Sequence, residues 1–443
     1  MNRGARGRLR LADDLHERPW WREDAGRPAP PEPDLPATVD VVIVGAGYTG
    51  LSAALTLAQS GARVAVFDSG DPGDGASGRN GGMVGDRLNV SWRTLARRYG
   101  AGRATALQQE ARSAVDYVER LTVDLGIDCG FARVGRFCAA ASPAHLRAMR
   151  RELEAEPEDL REGRIIPPGE TAAYVDSPLY HGGELIETVG CIHPVRYHTG
   201  LLEAVRKAGV PVLARTQVLA SEEDDDGLTV ETGIGFVRAD RMLVCTNGYT
   251  DMLEPNLQRR VVPVTSAMIA TGELDPDLVA RLVPGGRMIT DSFHLLHYFR
   301  PSPDGRRILL GHRPAPFHPQ RGRRLAAFLA RRLGEILPAL DGATVTHCWQ
   351  GRLGFSFDFL PKIGLVERTG FAMCYGGSGV AMASWLGHKL GQKAAGDLAG
   401  RTAFDDIDFP ARFYHRGTPW FVPPAMAVLA LDDWRHRRRR RLT

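Results

Sequence analysis

The 443-residue sequence has few of the residues that metal sites and disulfide frameworks require. It contains only six cysteines, none of which forms a Cys-x-x-Cys pair, so we expect neither a structural zinc site nor a disulfide framework. Low cysteine content favours a reducing, cytoplasmic setting. His294 and His297 are close in sequence, but no third ligand is evident, so we expect no metal site.

Long hydrophobic segments are also missing. The longest apolar run near either end, residues 422–431, is interrupted by Pro423 and Pro424 and is too short to span a bilayer. The first residues are basic but lack the apolar stretch of a secretory signal. We therefore expect neither a transmembrane segment nor a secretory signal.

Positive charge is concentrated at the C-terminus. The formal net charge is +4, but Arg435 and the run 437–441 contribute six arginines, and without them the chain would carry −2. The body of the protein therefore gives no electrostatic case for binding nucleic acid. We interpret the tail as a solvated, mobile end, with a tether to an anionic surface as the alternative.

Residues 1–37 are polar and contain Pro28, Pro30, Pro31, Pro33 and Pro36. This composition predicts an extended arm rather than a domain. Within the arm, we expect the Pro19-Trp20-Trp21 cluster to pack on the body, because two adjacent exposed tryptophans would be costly.

After the arm, the hydrophobic pattern predicts a βαβ unit, with a buried strand at 39–44, a helix at 49–60 and a second buried strand at 63–67. Strand-like alternation covers 210–248, with an acidic turn at 222–226, and residues 296–312 read as a hairpin around Pro303-Asp304-Gly305. Apolar spacing predicts further helices at 102–126, 143–155, 322–337 and 380–399. No internal repeat is found.

A Gly-x-Gly-x-x-Gly motif, Gly45, Gly47 and Gly50, follows the first predicted strand and opens the helix. In this context it predicts a dinucleotide site, in which pyrophosphate lies against free N–H groups at the helix start. Asp68, at the end of the second strand, is placed to accept hydrogen bonds from ribose hydroxyls.

The motif alone does not separate NAD from FAD. A second loop, GASGRNGG at 75–82, combines small residues with hydroxyl, guanidinium and amide donors. A third, YGGSG at 375–379, precedes the helix at 380–399, whose N-terminus would stabilise a reduced, anionic flavin. Together the three segments favour FAD.

These three segments resemble the glycine/D-amino-acid oxidase (DAO) family of FAD-dependent oxidoreductases, and in particular its γ-glutamylputrescine oxidase-like branch. The resemblance runs from about residue 16 to about residue 424. It includes Trp20-Trp21, Gly182-Gly183, His193-Pro194-x-x-Tyr197, Thr246–Thr250, Tyr298–Arg300 with Gly311 and Arg313, and Trp349-x-Gly351 followed by Asp358, Pro361, Ile363 and Gly364.

The resemblance implies an α/β fold, α+β overall, in which a Rossmann-like doubly wound FAD-binding domain carries an inserted sheet-and-helix substrate domain. The expected FAD-binding segments are 38–95, 190–255 and 345–405, and the expected substrate segments are 96–189 and 256–344. An arm (1–37) and a C-terminal extension with an arginine-rich tail (406–443) complete the plan.

Beyond the motif glycines and Asp68, the resemblance implies cofactor contacts in every segment of the FAD domain. The expected contacts are Gly45, Gly47, Tyr48, Thr49, Gly50, Asp68, Ser69, Ala76, Ser77, Arg79, Asn80, Gly81, Gly82, Val218, Thr246, Asn247, Gly248, Trp349, Gly351, Gly376, Gly377, Ser378, Gly379 and Val380.

The reaction that the resemblance implies is oxidation of a C–N bond of an amine or amino acid to an imine, which water then hydrolyses. Arg300 and Arg313 are candidates to bind a substrate carboxylate, with structural salt bridges as the alternative. Tyr298 could line the pocket or belong to the core, and His193 could act near the flavin or be structural. Asp291 or Glu184 could hold an amine cation.

Two positions depart from the resemblance. Some relatives attach FAD covalently to a cysteine near Cys348, but the spacing to Asp358 differs here, and a buried hydrophobic role is the simpler interpretation. A lysine that aids reaction with O2 in sarcosine oxidase-like members corresponds to Leu309. The electron acceptor is therefore open. The chain could be an oxidase that uses O2, a dehydrogenase, or a flavin-bearing subunit that passes electrons to a protein partner.

Overall fold

The structure is a computed structural model that describes residues 8–25 and 33–440, with side chains through Arg435. Pro28, Pro30 and Pro31, on which the arm prediction partly rests, lie outside the described residues. The side chains of 437–441, on which the tail prediction rests, also lie outside them.

The α-helices of the described chain are α1 (Trp21–Ala25), α2 (Tyr48–Gln59), α3 (Trp92–Tyr99), α4 (Ala101–Asp124), α5 (Pro143–Ala155), α6 (Pro194–Lys207), α7 (Pro255–Gln258), α8 (Pro276–Leu282), α9 (Gly322–Ile336), α10 (Gly379–Ala394) and α11 (Val422–Arg440).

Its β-strands are β1 (Arg10–His16), β2 (Thr38–Val44), β3 (Val64–Phe67), β4 (Met83–Val84), β5 (Arg136–Ala139), β6 (Arg164–Ile166), β7 (Gly183–Ile186), β8 (Gly190–Cys191), β9 (Val212–Leu213), β10 (Val218–Asp224), β11 (Gly227–Thr232), β12 (Gly235–Val244), β13 (Val262–Thr271), β14 (Met288–Asp291), β15 (His297–Pro301), β16 (Ile308–His312), β17 (Thr344–Phe355), β18 (Lys362–Val366) and β19 (Thr369–Met373).

A mixed sheet contains the predicted βαβ unit. Its path is β10-β11-β12-β2-β3-β9, and β19 joins β12 and β18. The pairs β12–β2, β2–β3, β3–β9 and β12–β19 are parallel. Val41 and Ile43 pack into a core on one face of β2, whereas Val42 and Val44 pack on the other. Burial of both faces explains why the strand reads as a continuous apolar run rather than an alternating one.

Helices α2, α4 and α10 share the core on one face of the mixed sheet, with Leu51, Leu107 and Leu386 fully buried there. The sequence-based domain plan places α4 in the substrate segment 96–189, whereas α4 residues share this core with α2 and α10. Apolar spacing identifies a helix but does not say which sheet its apolar face covers. Helix α10 ends at Ala394, short of the predicted 399, because Gly396 adopts a positive φ of 77° just beyond it.

A second sheet has the order β1-β17-β13-β16-β15-β14-β5-β7-β6 in the described chain. Its central hairpin, β15 and β16, is antiparallel, as the sequence predicts. Helix α9 covers this sheet with a face that includes Leu325, Leu329 and Leu333, all essentially buried. The mixed α/β architecture inferred from the sequence is confirmed.

The described part of the arm joins the second sheet. Strand β1 pairs in parallel with β17, and α1 follows it. Trp20 and Trp21 are buried against Met268, Leu309 and Trp349, which confirms that this cluster packs on the body.

At the other end of the chain, the backbone of α11 continues helically to Arg440. Arginine is a strong helix former, and the solvated end expected from the sequence stays a prediction. In the part of the chain that the structure describes, no helix combines the length and the apolar character needed to cross a membrane.

Candidate active site

The dinucleotide motif forms a tight turn between β2 and α2. Gly45 has a φ of 104°, a conformation that favours glycine. A Cβ on Gly50 would lie 1.9 Å from the Gly45 carbonyl oxygen, so this glycine allows the helix to pack closely against the turn. Gly47 is the N-cap of α2 and provides no side-chain cap. The Tyr48 N–H donates to Ser77, and the next N–H groups of the first turn are the ones that fit a bound phosphate.

Asp68 closes β3 and organises the same turn. Its two carboxylate oxygens accept hydrogen bonds from the Ala46 N–H (2.8 Å) and the Gly70 N–H (2.9 Å). Burial raises the pKa of this carboxyl, and the two backbone donors oppose that shift. A carboxylate oxygen retains further acceptor capacity, which fits a ribose hydroxyl.

The loop at 75–82 is held by its own side chains. The Ser77 hydroxyl accepts from the Tyr48 N–H (3.1 Å), and the Tyr48 hydroxyl donates to the Ser77 carbonyl (2.7 Å). Asn80 donates to the Ser77 carbonyl (2.8 Å). Arg79 donates to the Asp74 and Gln350 carbonyls. This network of hydrogen bonds fixes the conformation of the loop.

Two aromatic residues hold the loop from behind. Trp21 donates its indole N–H to the Asn80 carbonyl (2.9 Å), and Trp349 donates to the Arg79 carbonyl (2.8 Å). Trp349 therefore supports the loop but does not line the cavity in front of it.

The third glycine-rich segment leads into α10. Gly376 and Gly377 have φ values of 60° and 116°, and a Cβ on Gly376 would lie 2.3 Å from the Asn89 amide nitrogen. No side chain caps the N-terminus of α10, which faces the cavity through Ser378 and Gly379. The helix start thus offers free N–H groups and a positive dipole end.

A cavity of about 580 Å³ connects these three segments. Of the residues predicted from sequence, its lining includes Gly45, Gly47, Tyr48, Thr49, Asp68, Ser69, Ala76, Ser77, Arg79, Asn80, Gly81, Val218, Thr246, Asn247, Gly351, Gly376, Gly377, Ser378, Gly379 and Val380, together with Tyr298 and Arg313. Glycines at close backbone approaches and uncapped helix starts fit an extended dinucleotide such as FAD.

Six predicted residues lie outside the lining. Three are glycines, Gly50, Gly82 and Gly248, whose missing side chains make room for neighbouring backbone. The others are Trp349, His193 and Arg300, which lie behind the residues that line the cavity.

Arg300 is buried and donates to the carbonyls of Gly82 (3.0 Å), Ile192 (2.9 Å) and Pro301 (3.0 Å). These backbone partners occupy its guanidinium, and Arg300 does not line the cavity.

His193 is the N-cap of α6, where its Nδ1 accepts from the Arg196 N–H (3.1 Å). Its Nε2 lies 3.2 Å from the Asp24 carboxylate of the arm. Burial lowers the pKa of His193 to about 4, although Asp24 opposes the shift. A neutral histidine here joins the arm to α6.

Tyr298 on β15 and Arg313, directly after β16, line the cavity from the second sheet. The Ser266 hydroxyl donates to the His312 carbonyl (3.3 Å), so it accepts the proton of the Tyr298 hydroxyl, 3.0 Å away. This leaves the Tyr298 oxygen as a hydrogen-bond acceptor. Gly311 makes room for the ring, since a Cβ there would lie 1.9 Å from Tyr298 Cζ.

Arg313 differs from the other partly buried arginines that line the cavity, whose guanidinium groups meet a carboxylate or are held at close range by backbone carbonyls. Arg87 pairs with Glu184, Arg136 lies 3.8 Å from Asp86, and Arg79 bonds backbone carbonyls. In contrast, no carboxylate among the described residues pairs with Arg313.

The guanidinium of Arg313 lies over the Phe355 ring, and its Nη2 reaches the Gly376 carbonyl only at 3.5 Å. Its Nε has no hydrogen-bond partner in the described chain. Desolvation lowers the pKa of Arg313, so an anion bound beside it would compensate the cost of its burial.

The other candidates have partners already. Glu184 pairs with Arg87, and Asp291 lies 2.6 Å from His297 Nδ1. Cys348 is buried in the core under the second sheet, outside the lining, and burial raises its pKa to about 12. Leu309 is buried against Trp20 and Trp21.

Sequence reasoning missed several lining residues. Arg87 and Asn89 follow the 75–82 loop directly, and that proximity was a usable signal. Ser266 on β13 and Thr290 on β14 lie on strands of the second sheet and carry no local motif. They reach the cavity only through the pairing of those strands.

With this geometry established, the comparisons with known proteins identify the family. The model of the FAD-dependent oxidoreductases of the DAO type matches residues 40–393. This chain belongs to the DAO family of FAD-dependent oxidoreductases. The match spans all three glycine-rich segments, so FAD is the cofactor that the cavity serves.

Relatives of this DAO-family chain cover most of its length. The probable oxidoreductase OrdL of Rhizobium meliloti is 32% identical over an alignment of 405 residues. The alignment covers 88% of this chain and 91% of the relative. The γ-glutamylputrescine oxidoreductase of Escherichia coli is 27% identical over 373 residues, 84% of this chain and 87% of the relative.

Among solved structures, glycine oxidase from Geobacillus kaustophilus matches with a TM-score of 0.70 at 22% identity. The alignment covers 85% of this chain and 99% of that enzyme. At this level of identity, the match shows a shared fold.

Proposed function

We propose that this DAO-family protein oxidises the C–N bond of a small amine or amino acid that carries a carboxylate. The product is an imine, which water hydrolyses to a carbonyl compound and an amine or ammonia. The observation that carries the proposal is Arg313, a cation in the FAD cavity that lacks a carboxylate partner in the described chain.

When bound, FAD supplies the two-electron oxidation by accepting a hydride at N5. The chain's own residues supply orientation. Arg313 would bind the carboxylate with two parallel N–H donors. The Tyr298 oxygen, left as an acceptor by Ser266, would receive an N–H of the amine. Two fixed contacts on one substrate hold its C–H bond in a defined direction.

No protein base is needed if the amine binds in its neutral form. Burial raises the pKa of Tyr298, so its hydroxyl stays protonated and orients rather than abstracts. His193 faces Asp24 behind the wall and takes no part in proton transfer from substrate.

The test is the visible spectrum of the anaerobic holoenzyme, before and after addition of primary and secondary amines with and without a carboxylate. We expect carboxylate-bearing substrates to bleach the flavin band. A yellow protein that no member of the panel bleaches would contradict the proposal.

A substitution series locates the carboxylate site. Arg313→Met should weaken binding of carboxylate substrates about 10- to 100-fold, corresponding to the loss of a charged hydrogen bond of about 1.5–3 kcal/mol. Any bleaching of the flavin by amines without a carboxylate should be the same in this variant as in the parent. Arg352→Met, an exposed arginine on the same cavity, is the matched control and should leave both classes unaffected.

A second candidate function is that of a dehydrogenase, or a flavin-bearing subunit, that passes electrons to a protein partner. Supporting it, no lysine is present among the described lining residues, and Leu309 occupies the position where the resemblance places the oxygen-activating lysine. Admitting air to the bleached enzyme separates the two candidates. Rapid return of the colour with peroxide identifies an oxidase, whereas persistent bleaching identifies the alternative.

A further inference from the structure

A cluster of metal-binding side chains lies outside the cavity, where the arm meets β17. His16 ends β1, Glu23 lies on α1, and His347 lies on β17. The parallel register pairs His16 with His347, and the turn into α1 brings Glu23 to both. Because more than 300 positions separate His16 from His347, no local sequence motif indicates the cluster.

The donor atoms face one another. His16 Nδ1 lies 3.2 Å from His347 Nε2 and 2.5 Å from Glu23 Oε1, and His347 Nε2 lies 2.9 Å from Glu23 Oε2. Ligands held about 2.0–2.1 Å from a tetrahedral metal are separated by roughly 3.3 Å. The two imidazole nitrogens therefore already have the spacing of two ligands on one ion. The Glu23 carboxylate lies closer to both rings than a shared ion would allow, so it would move outward on binding.

We propose that His16, Glu23 and His347 form a divalent-metal site that ties the arm to the second sheet. Two nitrogens and one carboxylate, with a fourth position open to water, form a donor set that suits Zn²⁺.

Neighbouring groups orient these ligands. The Thr346 hydroxyl lies 2.8 Å from His347 Nδ1, and it also donates to the Thr271 carbonyl at 3.3 Å. Because the Thr346 hydroxyl proton points to the Thr271 carbonyl, its oxygen accepts a hydrogen bond from His347 Nδ1–H. The lone pair of His347 Nε2 then faces Glu23. Such a hydrogen bond on the far nitrogen is the usual support of a metal-bound histidine.

Arg18 donates to Glu23 Oε1 through Nε (3.0 Å) and Nη2 (2.6 Å). It leaves Oε2, the oxygen nearest His347, for the metal. Its charge opposes a cation, so we expect weaker binding than at a site without an arginine.

Access from solvent also suits a metal. His347 is 4% exposed, whereas the side chains of His16 and Glu23 are 36% and 31% exposed, so an ion can enter from solvent.

The site has a structural consequence. Glu23 lies two residues after Trp21, whose indole supports the loop at 75–82, and His347 lies two residues before Trp349, which supports the same loop. A bound ion would therefore connect the two chain segments that carry Trp21 and Trp349, the residues that support the loop at 75–82 (the FAD loop).

The test uses untagged holoenzyme, freed of metal with a chelator and titrated calorimetrically with Zn²⁺, with metal content measured after gel filtration. We expect one Zn²⁺ per chain and a rise in the unfolding temperature on binding. His16→Gln and His347→Gln should each weaken binding at least tenfold. His294→Gln, another exposed histidine beside a carboxylate, is the control and should bind as the parent does.

His347 is buried, so its variant can fail to fold for unrelated reasons. His16 is partly exposed, and His16→Gln then decides the question alone. The proposal is overturned if the parent takes up no Zn²⁺ at tenfold excess, or if His16→Gln binds one ion as tightly as the parent.

Discussion

At the scale of single residues, His198 links protonation to the dinucleotide turn. Its Nε2–H donates to the Ala46 carbonyl at 2.7 Å, and a Cβ on Gly73 would lie 2.8 Å from its ring. The His198 ring therefore lies between the dinucleotide turn at Ala46 and the chain segment at Gly73. Burial lowers its pKa to about 4, despite the opposing hydrogen bond to Ala46.

This shift predicts a loss of stability in acid. In the unfolded chain, His198 has the ordinary histidine pKa of 6.5 and binds a proton at a pH where the folded chain does not. The contribution of His198 is therefore complete above pH 6.5 and declines as the pH falls towards 4. Between pH 7.5 and pH 5, we expect a loss of about 2 kcal/mol from this residue.

Urea unfolding at the two pH values measures the effect. His198→Gln keeps a donor for Ala46 but does not titrate, so its stability should fall by about 2 kcal/mol less than that of the parent. His388, whose pKa is also lowered to about 4, contributes equally to both proteins and cancels. Parallel pH dependences for parent and variant would refute the assignment.

At the scale of elements, α11 holds a loop at the rim of the FAD cavity. Asp433 on α11 is 1% exposed, and its two oxygens accept from the N–H groups of His294 and Leu295, both at 2.9 Å. The next residue, Leu296, lines the cavity. Leu295 and Ala430 also pack together in a small apolar cluster.

Asp433→Ala should therefore destabilise the protein by about 2–3 kcal/mol, because it leaves the buried Leu295 N–H and the part-buried His294 N–H without their acceptor. The loop would loosen, and we expect KM to rise more than kcat falls. Asp432→Ala is the neighbouring control. Its carboxylate contacts the exposed side of His294, so it should cost about 0–1 kcal/mol. Equal effects of the two substitutions on stability and KM would show that α11 does not hold the loop.

Elements were predictable where the local pattern determines them. The unit β2, α2 and β3 follows from two β-branched runs around a glycine turn, and β15 and β16 follow from alternation around Pro303-Asp304-Gly305. The strand pairing of β1 with β17 was not predictable, because it joins residues 10–16 to residues 344–347 across the whole chain. The same long-range pairing creates the cluster of His16, Glu23 and His347.

The residues of the candidate site also fall into those that a local sequence pattern predicts and those that only the tertiary structure reveals. The glycine segments have sequence signals because their backbone conformations demand glycine, and they lie together around the cavity. Arg300 and Arg313 look alike in sequence, at the ends of two paired strands. Only the tertiary structure shows that backbone carbonyls occupy Arg300, whereas Arg313 faces the cavity without a carboxylate partner in the described chain.

At the scale of the whole molecule, the arm connects the second sheet to the FAD loop. Strand β1 extends the sheet, Trp20 and Trp21 fill a buried cluster, and Trp21 donates to the Asn80 carbonyl. Arg196 on α6 pairs with Asp24 of the arm at 2.9 Å. The arm therefore contacts the second sheet, the FAD loop and α6 at once.

Removal of residues 1–25 should make FAD binding weak, because the loop at 75–82 loses a hydrogen bond and its apolar backing. Trp21→Phe keeps most of the packing but not the indole donor, so it should lose about 1 kcal/mol and retain more FAD than the shortened chain. The measurement is the ratio of flavin to protein absorbance after gel filtration, together with the unfolding temperature with and without added FAD. Stabilisation by added FAD follows mass action, so a weakened site requires more FAD for the same rise. If the shortened chain kept a full complement of FAD, the arm would be an independent attachment rather than part of the cofactor site.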